Sequence, residues 1–410
     1  MMAHGSTHTG GLIKMARDSN QFMRQLMAAQ RLMSIEPFQV MEVQRRANEL
    51  ERNGSKIIHM EIGQPDFGAP PAVVEAGVAA LRSERLGYTD ALGIPELRAA
   101  LSNYYRVRFG ISVPGERIVV TAGASAALLL CLGALVNPGD EILMADPSYP
   151  CYRHFVRMFE GEPTCLPVDE NQSYQLALRD VEAHWTPRSK GVILASPSNP
   201  TGTTVDPDTL KNIVEWVRSR GGFVIIDEIY QGLVYEGANC SALSGCDDVF
   251  VINSFSKYFC MTGWRLGWAV VPESFLRPVE KLAQNIFICP SAPAQFAALG
   301  GFGNDTFQIL DHRRDEYRRR RDAMLPRLRE MGFSIPITPS GAFYVYAGCG
   351  KFSNDSLAFT KEVLERAGVA ITPGIDFGSF RANQFVRFSY TRSQAELAEG
   401  LDRLSAMLDG

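Results

Sequence analysis

What this chain lacks narrows its chemistry before any motif is considered. Among 410 residues there are six histidines (His4, His8, His59, His154, His184, His312), and none stand at metal-ligand spacing, so no metal site is expected. The eight cysteines (131, 151, 165, 240, 246, 260, 289, 349) include no Cys-x-x-Cys pair. They read as reduced thiols of a cytoplasmic protein, most of them buried as small hydrophobes. The longest apolar run, Ala126 to Val136, falls short of the roughly 20 residues that span a bilayer. Met1 to Gly11 is small and polar, without a signal-peptide core. The expectation is a protein that is neither exported nor membrane-bound. Charge of one sign is missing too: 41 Lys and Arg face 45 Asp and Glu, a net charge of −4. That balance argues against nucleic acid or anionic lipid as partners. The basic run His312 to Arg321 is interleaved with Asp315 and Glu316 and followed by Asp322, and reads as a solvated helix face.

What is present suits a large buried core: 46% of residues are hydrophobic and 21% charged. At about 150 residues per domain the length implies two or three units. Residues 1–20 read as a tail. Residues 21–60 form an N-terminal segment with a helix-like stretch closed by Asn53-Gly54, expected to lie against the C-terminal part. Residues 61–310 form a large unit, and 311–410 a smaller α+β one. From residue 118 short apolar runs recur at 118–120, 142–144, 192–194, 223–226, 249–252 and 268–271. They lack polar alternation, as strands covered on both faces do. Helical patterns at 125–136 and 208–220 separate some of them, which predicts an α/β fold with a mostly parallel sheet flanked by helices. Only a short stretch precedes the last run, so an antiparallel final strand is open. Beyond it, a charged helix is expected over Asp311 to Met331, ended by Gly332.

Almost every strand of the large unit ends in a small or polar cluster. These are Thr121-Ala-Gly-Ala-Ser125, Asp146-Pro-Ser-Tyr149, Ser196-Pro-Ser-Asn199, Asp227-Glu-Ile-Tyr230 and Asn253-Ser-Phe-Ser-Lys257. In open α/β sheets the carboxyl ends of strands form the ligand crevice, so the five clusters should converge on one pocket. The small residues entering a helix at Ala124 and Ser125 suit a phosphate. Lys257, set directly after an apolar strand, suits Schiff-base chemistry. Asp227 needs a cationic partner such as a protonated heterocyclic nitrogen. Arg265 adds charge for the phosphate, and Tyr149 can stack on a flat ring. A phosphate, an aldehyde and a pyridinium nitrogen together describe pyridoxal 5'-phosphate.

At this point the residues resemble a known family, the class I and II aminotransferases, pyridoxal-phosphate enzymes of fold type I. The motifs that carry the likeness are Gly63-Gln-Pro-Asp-Phe67, Tyr88 with Gly93-Ile-Pro-Glu-Leu-Arg98, Ser196 to Gly202, Asp227 to Tyr230, Ser254-Phe-Ser-Lys257, Met261 to Gly267, Ser340 to Phe343, and Val386-Arg-Phe-Ser389. The resemblance runs from about residue 35 to the C-terminus and implies the following roles. Lys257 forms the Schiff base and shuttles the substrate proton. Asp227 keeps the ring nitrogen protonated, while Tyr230 and Asn199 bond the phenolic oxygen. Tyr149 stacks on the ring. Ala124, Ser125, Ser254 and Arg265 hold the phosphate, and Tyr88 reaches the neighbouring subunit's cofactor, so a homodimer with shared sites is implied. Arg387, with Asn199 and the Gly63 N–H, takes the substrate carboxylate. The implied reaction is a ping-pong exchange of an amino group between an L-amino acid and a 2-oxo acid. The alternative is another reaction class on the same cofactor: a decarboxylase, C–S lyase or cyclopropane-forming synthase. The phosphate loop departs from relatives, reading Ala-Gly-Ala-Ser-Ala at 122–126. No second arginine for a dicarboxylate is identifiable, and the apolar stretch Asn285 to Pro290 favours hydrophobic or small amino acids. Ser254-x-x-Lys257 also matches the Ser-x-x-Lys signature of penicillin-binding enzymes, which would require a helix opening at the serine.

Overall fold

A computed structural model describes residues 29–83, 86–237 and 240–410. The expected tail, residues 1–20, lies outside the described residues. Contacts divide the chain after Glu36. In the first unit a 3-10 turn spans Gln30–Ser34; everything below concerns the second, Pro37–Gly410.

The strands of the large sheet are preceded by β1 (Ile58–His59) and are β2 (Ile118–Thr121), β3 (Glu141–Asp146), β4 (Glu162–Pro167), β5 (Ser189–Ala195), β6 (Phe223–Asp227), β7 (Phe250–Ser254) and β8 (Gly267–Val270). They are followed, toward the C-terminus, by β9 (Tyr344–Gly348), β10 (Val369–Ala370), β11 (Thr372–Pro373) and β12 (Phe385–Ser389). Seven strands form one sheet in the order β2-β8-β7-β6-β5-β3-β4. All neighbours are parallel except β8, which runs antiparallel to both β2 and β7. The apolar runs make physical sense here. Val192 and Leu194 enter the hydrophobic cluster on one face of the sheet and Ile193 the cluster on the other. Val224 and Ile226 are divided from Ile225 in the same way. With helices on both faces, neither side of a strand meets water, so alternation disappears.

Strand β4 was not legible in this way. Its sequence, Glu-Pro-Thr-Cys-Leu-Pro, carries two prolines and is mostly half-buried, as suits a strand at the sheet edge, where a missing N–H costs nothing. The long C-terminal helix spans Asn304–Met331, beginning seven residues before the expected Asp311 and running through residue 310 without a break. Gly332 ends it in the left-handed region, φ 107°. Its basic run is not wholly a solvated face, which corrects the sequence reading. Tyr317, Arg320, Arg321, Met324 and Leu328 share the helix's buried side. Arg320 grips both oxygens of Asp66 at 2.9 and 3.0 Å, and Arg321 pairs with Glu236 at 2.7 Å.

A three-stranded antiparallel sheet, β11-β12-β9, and the parallel pair β1-β10 make up the remaining sheet structure. The helix Gln39–Arg52 buries Val43 and Ala47 against Leu364 and Ala370. No helix among the described residues is long and apolar enough to cross a membrane.

Candidate active site

Sheet topology brings the polar clusters together. Strands β3, β5, β6 and β7 are parallel. Strand β2 points the same way, because β8 is antiparallel to both of its neighbours. Their carboxyl ends therefore share one edge. There a cavity of about 600 Å³ is lined by Gly63, Ala124, Ser125, Tyr149, Asn199, Asp227, Tyr230, Ser254, Lys257, Arg265 and Arg387. Those are all the expected site residues save one. Tyr88 lies outside the cavity and is 85% exposed.

The corner where the helix Ala124–Leu135 begins is built from backbone. Gly123, the N-cap of the helix Ala124–Leu135, sits at φ 87°, where a side chain is strained. A Cβ there would meet an Arg265 Nη at 2.8 Å, so the guanidinium rests over the helix entrance. Gly267 opens β8 between Thr121 and Ser254. A Cβ on it would lie 2.8 Å from Gly123 C and 2.9 Å from Ala124 N. Arg265 itself holds a left-handed backbone, φ 54°, a costly conformation for a non-glycine residue and one that collects at functional sites. The Ser254 hydroxyl is engaged within its own loop, with Leu266 O at 3.1 Å and Ser256 Oγ at 3.0 Å. Ser254 ends a strand and no helix opens there, so the Ser-x-x-Lys alternative lacks its structural context.

Asp227 is buried at the end of β6. Its Oδ2 accepts from the Tyr152 hydroxyl at 2.6 Å and its Oδ1 from Ile229 N–H at 3.0 Å. Burial pushes its carboxyl above the ordinary range, while the Tyr152 and Ile229 bonds and the Lys257 charge pull it back. Lys257 donates from Nζ to the Gly63 carbonyl at 2.6 Å and lies 5.8 Å from the Tyr230 ring centre. Burial first, then the charges of Arg387 and Arg265, bring its amine down to about 8; Asp227 opposes them. Such an amine is neutral in part near pH 7, as a nucleophile must be.

Arg387, on β12, is 2% exposed. Its Nη1 donates to Asn199 Oδ1 at 2.9 Å, and its other terminal nitrogen donates to the Glu61 carbonyl and to Thr372 Oγ1. The guanidinium lies 4.2 Å from the Tyr344 ring centre, and its Nε is buried without a partner. Among the described residues no carboxylate lies within ion-pair distance. A buried guanidinium facing a cavity with no carboxylate in direct contact is costly unless an anion enters.

Several residues of the site escaped sequence reasoning, among them the apolar Phe38, Val40, Met41 and Ile62 and the polar Tyr152, Tyr344 and Ser256. Tyr152 holds Asp227. Tyr344 bonds the Tyr230 hydroxyl at 2.7 Å and floors Arg387. Ser256 lines the cavity beside Ser254. Tyr152 and Tyr344 meet their partners across 75 and 114 residues. A faint signal existed for Tyr152, which follows Tyr149 by three residues at the start of the helix Cys151–Met158.

Comparison with known proteins identifies the family. A family model for class I and II aminotransferases matches residues 55–404. The valine–pyruvate aminotransferase of Mycobacterium tuberculosis is 40% identical over 376 residues, which cover 91% of this chain and 97% of that protein. The crystal structure of an aminotransferase from Mycobacterium tuberculosis superposes with a TM-score of 0.90 at 39% identity, over 94% of this chain and 100% of that one. Aspartate aminotransferase from Thermus thermophilus, solved with maleate, gives 0.88 at 32% identity over 93% and 100%. The chain therefore belongs to the class I and II aminotransferases, enzymes that move an amino group between an amino acid and a 2-oxo acid, and has the aspartate aminotransferase type of fold.

Proposed function

We propose that the cavity binds pyridoxal 5'-phosphate and that the enzyme transfers the amino group of an apolar L-amino acid to pyruvate or 2-oxoglutarate. The observation that carries this reading is the charge arrangement. Three cations (Lys257, Arg265, Arg387) and one buried carboxylate (Asp227) line a single apolar-walled cavity. The donor set fits the cofactor. The N–H groups entering the helix Ala124–Leu135, with Ser125 and Arg265, suit its phosphate. Asp227 offers a negative charge to its ring nitrogen, and Tyr149 offers an aromatic face. Asn199, whose Oδ1 is taken by Arg387, has its amide NH2 left to donate to the phenolic oxygen, alongside Tyr230. When bound, this cofactor supplies an aldehyde that condenses with amines and a conjugated ring that withdraws electrons.

The chain's own residues do the rest. Arg387 takes the substrate carboxylate and completes the bonding its Nε lacks. The Lys257 amine, lowered to about 8, takes the proton from the substrate Cα at Nζ. Tyr344 holds the Tyr230 hydroxyl in place at 2.7 Å. Phe38, Val40, Met41 and Ile62 also line the cavity, and we assign its side-chain end to them; among the described residues the lining adds no cation to Lys257, Arg265 and Arg387 that would match a second carboxylate. The valine named for the Mycobacterium relative supports the apolar assignment.

Exposed Tyr88, with Leu86, Ile286 and Ile288, supports a homodimer in which Tyr88 reaches the other subunit's phosphate site. All eight cysteines are free, which supports a reducing, cytoplasmic compartment.

The test is an amino-acid panel incubated with purified, cofactor-loaded enzyme, following visible absorbance and oxo-acid formation. Apolar donors should bleach the colour and yield their oxo acids stoichiometrically, and Lys257→Ala should show neither. Preference for aspartate over valine by specificity constant would overturn the substrate assignment, and colour retained in Lys257→Ala would overturn the cofactor assignment.

A further inference from the structure

We infer that Asp376, which lies outside the cavity lining, is a specificity-determining positioning residue: it pins the helix Gln39–Arg52 so that Phe38, Val40 and Met41 wall the side-chain end of the substrate cavity. This rests on the apolar-substrate reading above. The helix has no side-chain cap of its own, since its N-cap residue is Phe38. Its first amides are instead satisfied from 337 residues away. Gln39 N–H donates to one carboxylate oxygen of Asp376 at 2.8 Å, and Val40 N–H to the other at 3.2 Å. A carboxylate at a helix N-terminus gains from both the orphan amides and the dipole. Asp376 is 2% exposed. Burial pushes its carboxyl up to about 6; the Gln39 bond, Arg387, the Val40 bond and Arg153 hold it down.

The loop carrying Asp376 is itself tied on several sides. Arg153 donates to the Asp376 carbonyl at 3.0 Å. Asp146, at the end of β3, accepts from Ser379 N–H and Phe380 N–H at 2.9 and 3.1 Å. One residue on, the Phe377 ring lies 4.9 Å from the Arg387 guanidinium. A single short loop therefore sets two things at once: the underside of the arginine meant for the substrate carboxylate, and the placement of the wall its side chain meets. The distance between these two subsites decides which side chains fit.

Two substitutions separate the anchor from mere charge. Asp376→Asn keeps the side chain's size but leaves one acceptor for two amides. Gln39→Pro removes one donor from the other side and keeps the Asp376 charge; proline is tolerated at the first helical position. In both variants KM for bulky apolar donors should rise about fivefold, the equivalent of one lost cap. KM for alanine, which does not reach the wall, should change less than about twofold, and kcat should hold for both. Amide hydrogen exchange at Gln39 and Val40 in Asp376→Asn, and at Val40 in Gln39→Pro, should quicken relative to wild type whatever the substrate. A uniform KM rise confined to Asp376→Asn would overturn the proposal, because Asp376 would then act through the Arg387 charge. Unchanged exchange would overturn it as well. Quickened exchange without wild-type preference for apolar donors would instead refute the apolar-substrate reading and leave the anchor standing.

Discussion

Replacing Lys257 with methionine should stabilise the cofactor-free protein. The wild-type amine falls from its ordinary 10.5 to about 8 because folding strips it of water and sets it near two guanidiniums. At about 1.4 kcal/mol per tenfold, that fall makes the charged amine cost the fold about 3 kcal/mol near neutral pH. Methionine has similar length and no charge, so the penalty disappears. Against this, the variant loses the 2.6 Å bond to the Gly63 carbonyl, worth about 1 kcal/mol. The net gain is about 2 kcal/mol, or roughly 3 °C in Tm for a chain of this size. The sign depends on pH in a defined way. Below about 8 the unfolded and folded lysines are both charged, and wild type bears the full penalty. Between about 8 and 10.5 the unfolded lysine holds a proton that the folded one has released, so wild-type stability climbs with pH. Above 10.5 both are neutral, and the variant's advantage is gone. Thermal unfolding of both proteins, stripped of cofactor, at pH 7 and pH 10.5 measures this directly. A variant no more stable than wild type at pH 7, or one whose gain persists undiminished at pH 10.5, would refute the account of Lys257 as an electrostatically strained amine.

Two further outcomes follow from contacts invisible in the sequence. Tyr152→Phe removes the 2.6 Å donor that favours ionised Asp227, so that carboxyl should move further above its ordinary range. In the loaded enzyme kcat near neutral pH should drop about tenfold, the equivalent of one bond to a charged group, and the acid limb of the pH–rate profile should shift upward; an unmoved limb would contradict the role given to Tyr152. Gly267→Ala sets a Cβ 2.8 Å from Gly123 C and 2.9 Å from Ala124 N, forcing the helix entrance outward. Pyridoxal 5'-phosphate affinity, read by absorbance titration, should weaken about tenfold or more while the far-ultraviolet circular dichroism stays native; unchanged affinity would mean that the phosphate lies elsewhere.

Several elements were legible because their physics is local. The uninterrupted runs at 192–194 and 223–226 exclude water from both faces of a strand, and that pattern is written in adjacent residues. The helix Pro207–Ser219 announced itself through Asp206-Pro207, and Asp206 does accept the Thr209 N–H at 2.9 Å. Where burial is partial the signal fades. Strand β4 borrows its order from β3 alone, and its prolines read as a break. The first turns of the helix Asn304–Met331 hold the mixed stretch Asn-Asp-Thr-Phe-Gln-Ile-Leu, whose periodicity is clear only once its neighbours are in place. Arg320 shows the same limit: among four consecutive arginines, nothing local distinguishes the one that meets Asp66 across 254 residues.

The order of letters alone was enough to say which chemical groups this protein possesses and that they stand at strand ends, since strand periodicity and polar termination are properties of short stretches. It could not say which groups touch. That Arg387 meets Asn199 across 188 residues, or that Asp376 reaches Gln39 across 337, depends on how separately formed elements stack. Stacking is settled by the summed burial of many weak, undirected apolar contacts, so no single pair of residues carries its instruction.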